Sequence, residues 1–408
     1  MPFTAQASAI VARFAADRRI HQAFNWLHLQ EQQIMRWQTE LVGVPAPPFG
    51  EGPRAAWLCR RFGELGLANP HIDEVGNAIA TIPGTEPPSR RILLSAHIDT
   101  VFPADTPIEP TLRDDRLQAP GACDNGAGVV ALLAIAAALR HAGIAIPCDV
   151  VLIGNVGEEG EGDLRGMRHL YRTGTALGVR EEVVTHLVLD GAGHEAVVAH
   201  ALGSQRFLAT IQGPGGHSWT DAGRPNPIAI LSEAIFRFSR VDLPTFPRTT
   251  INVGTVEGGT SVNAIPERAA ARFDLRSTDH EQLVRLEVEL HRAVEDSILG
   301  ACGKQRPEAV GLRFSIEKIG DRPAGRLPAE SSLLSLVNAV DRHFSIRTEQ
   351  RIASTDANIP LALGIPAISI GAGGRGGGIH TRGEWYDAHG RELGLRRLLL
   401  LLLALTAS

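Results

Sequence analysis

The chain has 408 residues, 44% hydrophobic and 21% charged, an ordinary balance for a folded chain of two or three domains. Its net charge of −5 argues against nucleic acid as the main partner, which calls for a basic face. Four cysteines (Cys59, Cys123, Cys148, Cys302) show no Cys-x-x-Cys spacing, and no basic-then-apolar leader opens the chain, so free thiols and a cytoplasmic location are expected.

In chain order, residues 5–42 read as one or two helices that stop before the Pro-rich turn VPAPPFGEG. Residues 51–66 give another, with Gly66 placed to cap its end. Short strands are expected near 77–82 and 91–98. AGVVALLAIAAALRHAG (127–143) is apolar almost all round and predicts a buried helix. CDVVLIGNV (148–156), THLVLD (185–190) and PAISIG (366–371) are continuous apolar runs, the pattern of strands buried on both faces of a parallel sheet. From about 204 to 318 the pattern alternates instead, in QRFLATIQ, TINVGTV, AAARFDLRS and LRFSIE, with amphipathic helices near 227–240 and 279–296. Alternation predicts an antiparallel sheet with one wet face. The leucine run Leu398–Leu405 is short of the ~20 residues that span a bilayer and predicts a buried C-terminal helix. The expected fold class is α/β. A parallel-rich sheet domain is formed by 1–203 and 320–408, and an α+β domain of ferredoxin-like β-α-β-β-α-β order is inserted at 204–319.

Residues with metal-ligand chemistry gather at the strand ends. His97 and Asp99 follow RILLSA. Asp124, in GACDNGAG, precedes the buried helix. Glu158 and Glu159, in NVGEEGEGD, follow a second strand, and Asp190 ends a third. His380, in GGGIHTRGEWYD, follows PAISIG. In an open parallel sheet the ligand crevice lies at the carboxyl ends of the strands. Imidazoles and carboxylates without a thiol suit zinc, manganese or cobalt. Taken singly, each residue has an ordinary alternative: a helix N-cap for Asp124, a solvated loop for the Glu-Glu pair, a turn for Asp190, a loop histidine for His380. The convergence of four strand ends on one edge favours a metal centre. Residues two apart on a strand face the same way, so His97 and Asp99 can act together. GAGGRG (371–376) matches a dinucleotide fingerprint but opens onto no helix start, which pyrophosphate binding requires. Its glycines are expected to let backbone pass close to the metal centre.

The motifs SAHIDTV, GACDNGAG, GEEGEGD and VLDG with a late histidine, in that order and spacing, resemble the M20 family of metallopeptidases over nearly the whole chain. That family includes peptidase T, dipeptidases, carboxypeptidases and aminoacylases. The resemblance implies a two-metal zinc-exopeptidase centre: His97 and Asp190 on one ion, Glu159 and His380 on the other, Asp124 bridging. It implies Glu158 as general base toward a water shared by the ions, and Asp99 as the carboxylate that orients His97. A cis peptide at Asp124–Asn125 is implied too. The ions are expected to be Zn²⁺, with Mn²⁺ or Co²⁺ as alternatives.

In the inserted domain, GPGGHSW, TSVNAIP and RFDLRS resemble the family's substrate-binding motifs. His217, Asn263 and Arg276 would bind the substrate carboxylate or the tetrahedral oxyanion. Without the resemblance, Arg276 reads as a surface residue on a strand. The family's histidine often comes from a partner subunit, so a homodimer through the inserted lid domain is expected. Asp at 190 resembles the peptidase T and dipeptidase members and implies release of N-terminal residues from short peptides. STDAN (354–358), with Ser354 in place of a glycine, and HTRGEWYD depart from the family pattern and bear on specificity. The alternatives are an N-acyl-amino-acid amidohydrolase, a carboxypeptidase, and an inert peptide- or amino-acid-binding protein on the same fold. An intact Glu158 argues against the last. No nucleic acid or membrane partner is expected.

Overall fold

The computed structural model describes residues 3–86, 90–172 and 182–407. The chain divides into two compact units, Met1–Ala201 with Arg326–Ser408, and Leu202–Gly325.

The larger unit is α/β. Its sheet runs in the order Ala68–Ile72, Ala78–Ile82, Asp149–Asn155, Arg91–His97, Val183–Leu189, Ala367–Ile370, Ala196–Ala201. The strands from Asp149–Asn155 to Ala367–Ile370 pair in parallel, and antiparallel pairs flank them. The parallel strands are the continuous apolar runs, because both their faces are covered. Ile92 and Leu94 pack into one core with the helix Gly126–His141, and Leu93 packs into another with Met167 and Leu170. Asn125 caps that helix, its side chain accepting the Gly128 N–H at 3.0 Å.

The N-terminal stretch forms three helices, Phe3–Ala15, Arg18–Leu29 and Glu31–Val42, rather than one or two. Asp17 caps the second, but the break at Gln30 involves neither Gly nor Pro, so periodicity alone does not reveal it. The leucine run lies within the helix Arg391–Thr406 and is buried throughout. That helix also buries Arg397, which donates to the Asp341 carboxylate at 2.6 and 3.0 Å. Among the described residues no helix is long and apolar enough to cross a membrane.

The inserted unit has β-α-β-β-α-β order. Its antiparallel sheet runs Thr249–Gly258, Arg268–Ser277, Gly203–Gln212, Arg313–Arg322. Phe207, Ala209 and Ile211 alternate onto a core with Phe238 and Leu231 of the helix Pro227–Phe238 and Leu286 and Leu290 of the helix His280–Cys302.

The buried Arg397–Asp341 pair gives a stability test. Arg397→Met leaves an uncompensated buried carboxylate and is expected to cost ~3–5 kcal/mol in urea unfolding. Adding Asp341→Leu to that variant should recover much of the loss. An equal loss in the single and double variants would assign the cost to packing rather than to the ion pair.

Candidate active site

The site is built from segments that leave the carboxyl edge of the larger unit's sheet. The strand Arg91–His97 ends on His97, so Asp99 lies past the strand rather than on it. Strand alternation therefore does not place the Asp99 side chain. The turn does: the Ile98 N–H bonds the Asn155 carbonyl at 2.8 Å, and buried Arg54 donates from Nη1 to the Ile98 carbonyl at 2.9 Å. The Asp99 carboxylate then lies 3.5 Å from His97 Nδ1, which also faces the Asp99 carbonyl at 3.2 Å. Two acceptors at Nδ1 put the ring proton there and turn Nε2 toward the site.

Fully buried Asp99 also accepts the N–H groups of Glu158 and Glu159 at 3.0 and 2.8 Å. Burial pushes its carboxyl up, but His97 and the two amides outweigh this and hold it below the usual range. Glu158 and Glu159 follow the strand Asp149–Asn155 and are themselves buried.

Asp124 stands at the centre. Its Oδ1 lies 3.0 Å from His97 Nε2 and its Oδ2 lies 3.2 Å from His380 Nε2. Burial works against its ionised form, yet His380 and His97 hold its carboxyl well below the usual range. Asp190 Oδ1 lies 3.9 Å from His97 Nε2, and Glu159 Oε1 lies 2.8 Å from His380 Nε2. His97, Asp124 and Glu159 each place a ligand atom within 4.8 Å of the others. Burial and then Asp124 push the Asp190 carboxyl well up. Burial and then Glu158 push Glu159 up to about 7. Asp124 raises His380 to about 9 against the effect of its partial burial.

Five carboxylates, Asp99, Asp124, Glu158, Glu159 and Asp190, thus crowd two imidazoles. Such a set repels itself unless cations sit among it. The donors are nitrogen and oxygen only, since burial pushes the neighbouring Cys123 thiol up to about 12. These residues fit one or two divalent ions of the zinc, manganese or cobalt kind.

His380 does not directly follow the strand Ala367–Ile370, because the short strand Arg375–Gly377 intervenes. Its φ of 62° is left-handed, uncommon for a residue with a side chain. The segment 371–376 starts no helix, so it is not a pyrophosphate loop. A Cβ on Gly376 would fall 2.2 Å from Cys123 Sγ, so only glycine lets this strand lie against the residue before Asp124.

Buried polar groups that sequence reading did not single out tie these segments together. Asn125, not Asp124, caps the following helix, so the ordinary explanation for Asp124 is taken by its neighbour. Asn125 also donates to the Leu189 carbonyl at 2.8 Å and accepts the Gly191 N–H at 3.1 Å, bracketing Asp190. The Asp124–Asn125 peptide is cis, as the resemblance implies. In HTRGEWYD, expected to bear on specificity, Glu384 has another task. Buried, it accepts the N–H groups of Gly121, Cys123 and Asp124 at 2.9, 2.8 and 2.7 Å. In STDAN, buried Asp356 accepts from Asn155 Nδ2 at 2.7 Å and so packs behind the site. The only sequence signal for Glu384 is an acid set in a turn-rich stretch soon after His380.

Within the inserted unit, His217 pairs with Ala264, and the Ser218 N–H bonds the Asn263 carbonyl at 3.0 Å, so His217 and Asn263 are neighbours. His217 Nδ1 accepts the Trp219 and Thr220 N–H groups at 3.2 and 3.4 Å, which leaves the proton of the neutral ring on Nε2. Asn263 Oδ1 accepts from Ser261 at 2.6 Å, leaving its amide N–H₂ to donate. Arg276 stands apart on the strand Arg268–Ser277, its Nε donating to Asp274 at 2.6 Å.

A model of peptidase family M20/M25/M40 matches residues 93–404. The chain belongs to this family. As an M20 member it is a hydrolase of the peptidase and amidohydrolase kind. Its fold is similar to that of aminopeptidase PepT from Bacillus cereus, at 21% identity and a TM-score of 0.73 over 93% of this chain and 99% of that one. It is equally similar to a tripeptidase from Staphylococcus aureus, at 22% identity and a TM-score of 0.73 over 92% of this chain and 98% of that one. A succinyl-diaminopimelate desuccinylase of Corynebacterium glutamicum is 25% identical over 82% of this chain and 86% of its own length.

The clamp on Asp124 can be tested in this M20 chain. Glu384→Gln keeps the volume but turns an N–H₂ toward backbone donors. It is expected to weaken Zn²⁺ binding roughly 10–100-fold in a chelator competition. Unchanged affinity would remove Glu384 from any role in placing Asp124.

Proposed function

We propose that the protein is a di-metal exopeptidase that releases N-terminal residues from short peptides. The observation that supports this most is the arrangement around Asp124. Each of its oxygens faces a different imidazole, with Asp190 beside one and Glu159 beside the other. On this reading His97 and Asp190 would hold one ion and Glu159 and His380 the other, with Asp124 shared between them. The ions would supply Lewis acidity to the amide carbonyl and to the attacking water.

The chain's own residues do the rest. Asp99 fixes the His97 ring, so Nε2 stays available to the cluster. Glu158 takes a proton from the water as the oxygen bonds to the amide carbon. It then passes that proton to the leaving nitrogen as the C–N bond breaks. His217 and Asn263, each with an N–H directed away from its internal partner, and Arg276, with its carboxylate-matching fork, are assigned to the substrate. The same reading takes Zn²⁺ as the native ion, a homodimer through the inserted unit, and the cytoplasm as location.

Glu158→Ala should keep its metal content, read by elemental analysis, while kcat falls at least ~10²–10⁴-fold. Retained turnover would remove Glu158 as the base. A panel of di- and tripeptides beside N-acetyl amino acids, offered to the Zn²⁺-, Mn²⁺- or Co²⁺-loaded protein, should yield free N-terminal residues. Cleavage of N-blocked substrates alone would make it an N-acyl-amino-acid amidohydrolase or carboxypeptidase. Silence on every substrate would favour the binding-protein alternative.

A further inference from the structure

A cavity of about 870 Å³ opens beside the cluster in the larger unit, with Asp124 and Asp190 in its wall. Small-molecule sites run to ~300–1,000 Å³, so a short peptide or acylated amino acid fits in part or whole. Away from those two carboxylates the wall changes sign. It carries Arg351, Arg375, His194 and His389 against one acid, Glu195. Arg351 is already engaged, its Nη2 donating to Glu349 at 2.6 Å. Arg375 differs: among the described residues it has no ion pair and no side-chain hydrogen bond.

Backbone, not a salt bridge, puts Arg375 where it is. It opens the strand Arg375–Gly377, which pairs with Trp385–Asp387. It directly precedes Gly376, which packs on Cys123 next to Asp124. Arg375 is exposed and shares the wall of this cavity with Asp124 and Asp190. His194 adds a ring nitrogen, Nδ1, that is shielded from solvent and has no hydrogen-bond partner. A ligand polar atom would satisfy it.

We propose that the substrate carries a carboxylate that seats against Arg375 in this cavity, making Arg375 a specificity residue. This rests on the reading of the cluster as an amide-hydrolysing centre. A guanidinium offers a carboxylate two parallel N–H donors, and a neutral amide cannot match both. The carboxylate has two sources, an acidic side chain or the peptide's own C-terminus. The chemistry at Arg375 is the same for both.

The test is kcat/KM on the metal-loaded full chain for two matched pairs. One pair differs as Glu against Gln at a single position, the other as free acid against C-terminal amide. Wild type, Arg375→Gln and Arg375→Lys are compared. In wild type the acid member of at least one pair should be favoured roughly tenfold or more, and added salt should shrink the ratio. The ratio should fall toward one in Arg375→Gln and be partly kept in Arg375→Lys. The pair whose ratio collapses names the source. A ratio near one in both wild-type pairs overturns the proposal. So does a ratio that survives Arg375→Gln, as it would if Arg276 carried the preference. Both results leave hydrolysis intact. No hydrolysis of any member by the wild type overturns the underlying reading, and this proposal with it.

Discussion

The carboxylate of Asp99 holds the candidate site together. It is fully buried, yet it accepts two successive backbone N–H groups from Glu158 and Glu159 and closes on His97 Nδ1. Buried without partners, such a charge would cost several kcal/mol. With them it is a crosslink between the ends of two neighbouring parallel strands, those ending at His97 and Asn155. It also decides which imidazole nitrogen faces the cluster. The tautomer of His97 and the placement of Glu158 are thus one constraint.

The same device recurs around the cluster. Glu384 gathers three N–H groups of the loop that carries Asp124, and lies only four residues after His380. Asn125 spans from that loop to both sides of Asp190. Arg54 holds the carbonyl just before Asp99. Each tie joins backbone distant in sequence, and each is shielded from water, where a hydrogen bond is worth most. The segments beyond the strands are therefore tied to one another by hydrogen bonds of their own.

This division explains what sequence reading could and could not see. The parallel core was legible because long apolar runs are a local signal, and so was the inserted sheet, from its alternation. That acids and imidazoles gather at the sheet edge was legible because side-chain type and the order of the apolar runs are both local signals. Glu384, Asn125, Arg54 and Asp356 were missed for one reason. Their partners are backbone amides and carbonyls or a single distant asparagine, and such partners leave no pattern at a fixed spacing. Short strands such as Thr111–Arg113 and Trp385–Asp387 span too few residues to show a period. Asp99 was singled out, but for a strand geometry it does not have. The turn after His97 does that work, and turns are set by contacts such as that of Arg54.

The chain order of these parts has a consequence for biosynthesis. His97, Asp124, Glu158, Glu159 and Asp190 all precede the unit Leu202–Gly325, whereas His380 and Glu384 follow it. A ribosome-bound chain has translated every other member of the cluster before the last imidazole and the clamp on Asp124 exist. The cluster gains its second imidazole only once the chain has been made through His380. A truncated nascent product would therefore present acidic strand ends without a completed centre.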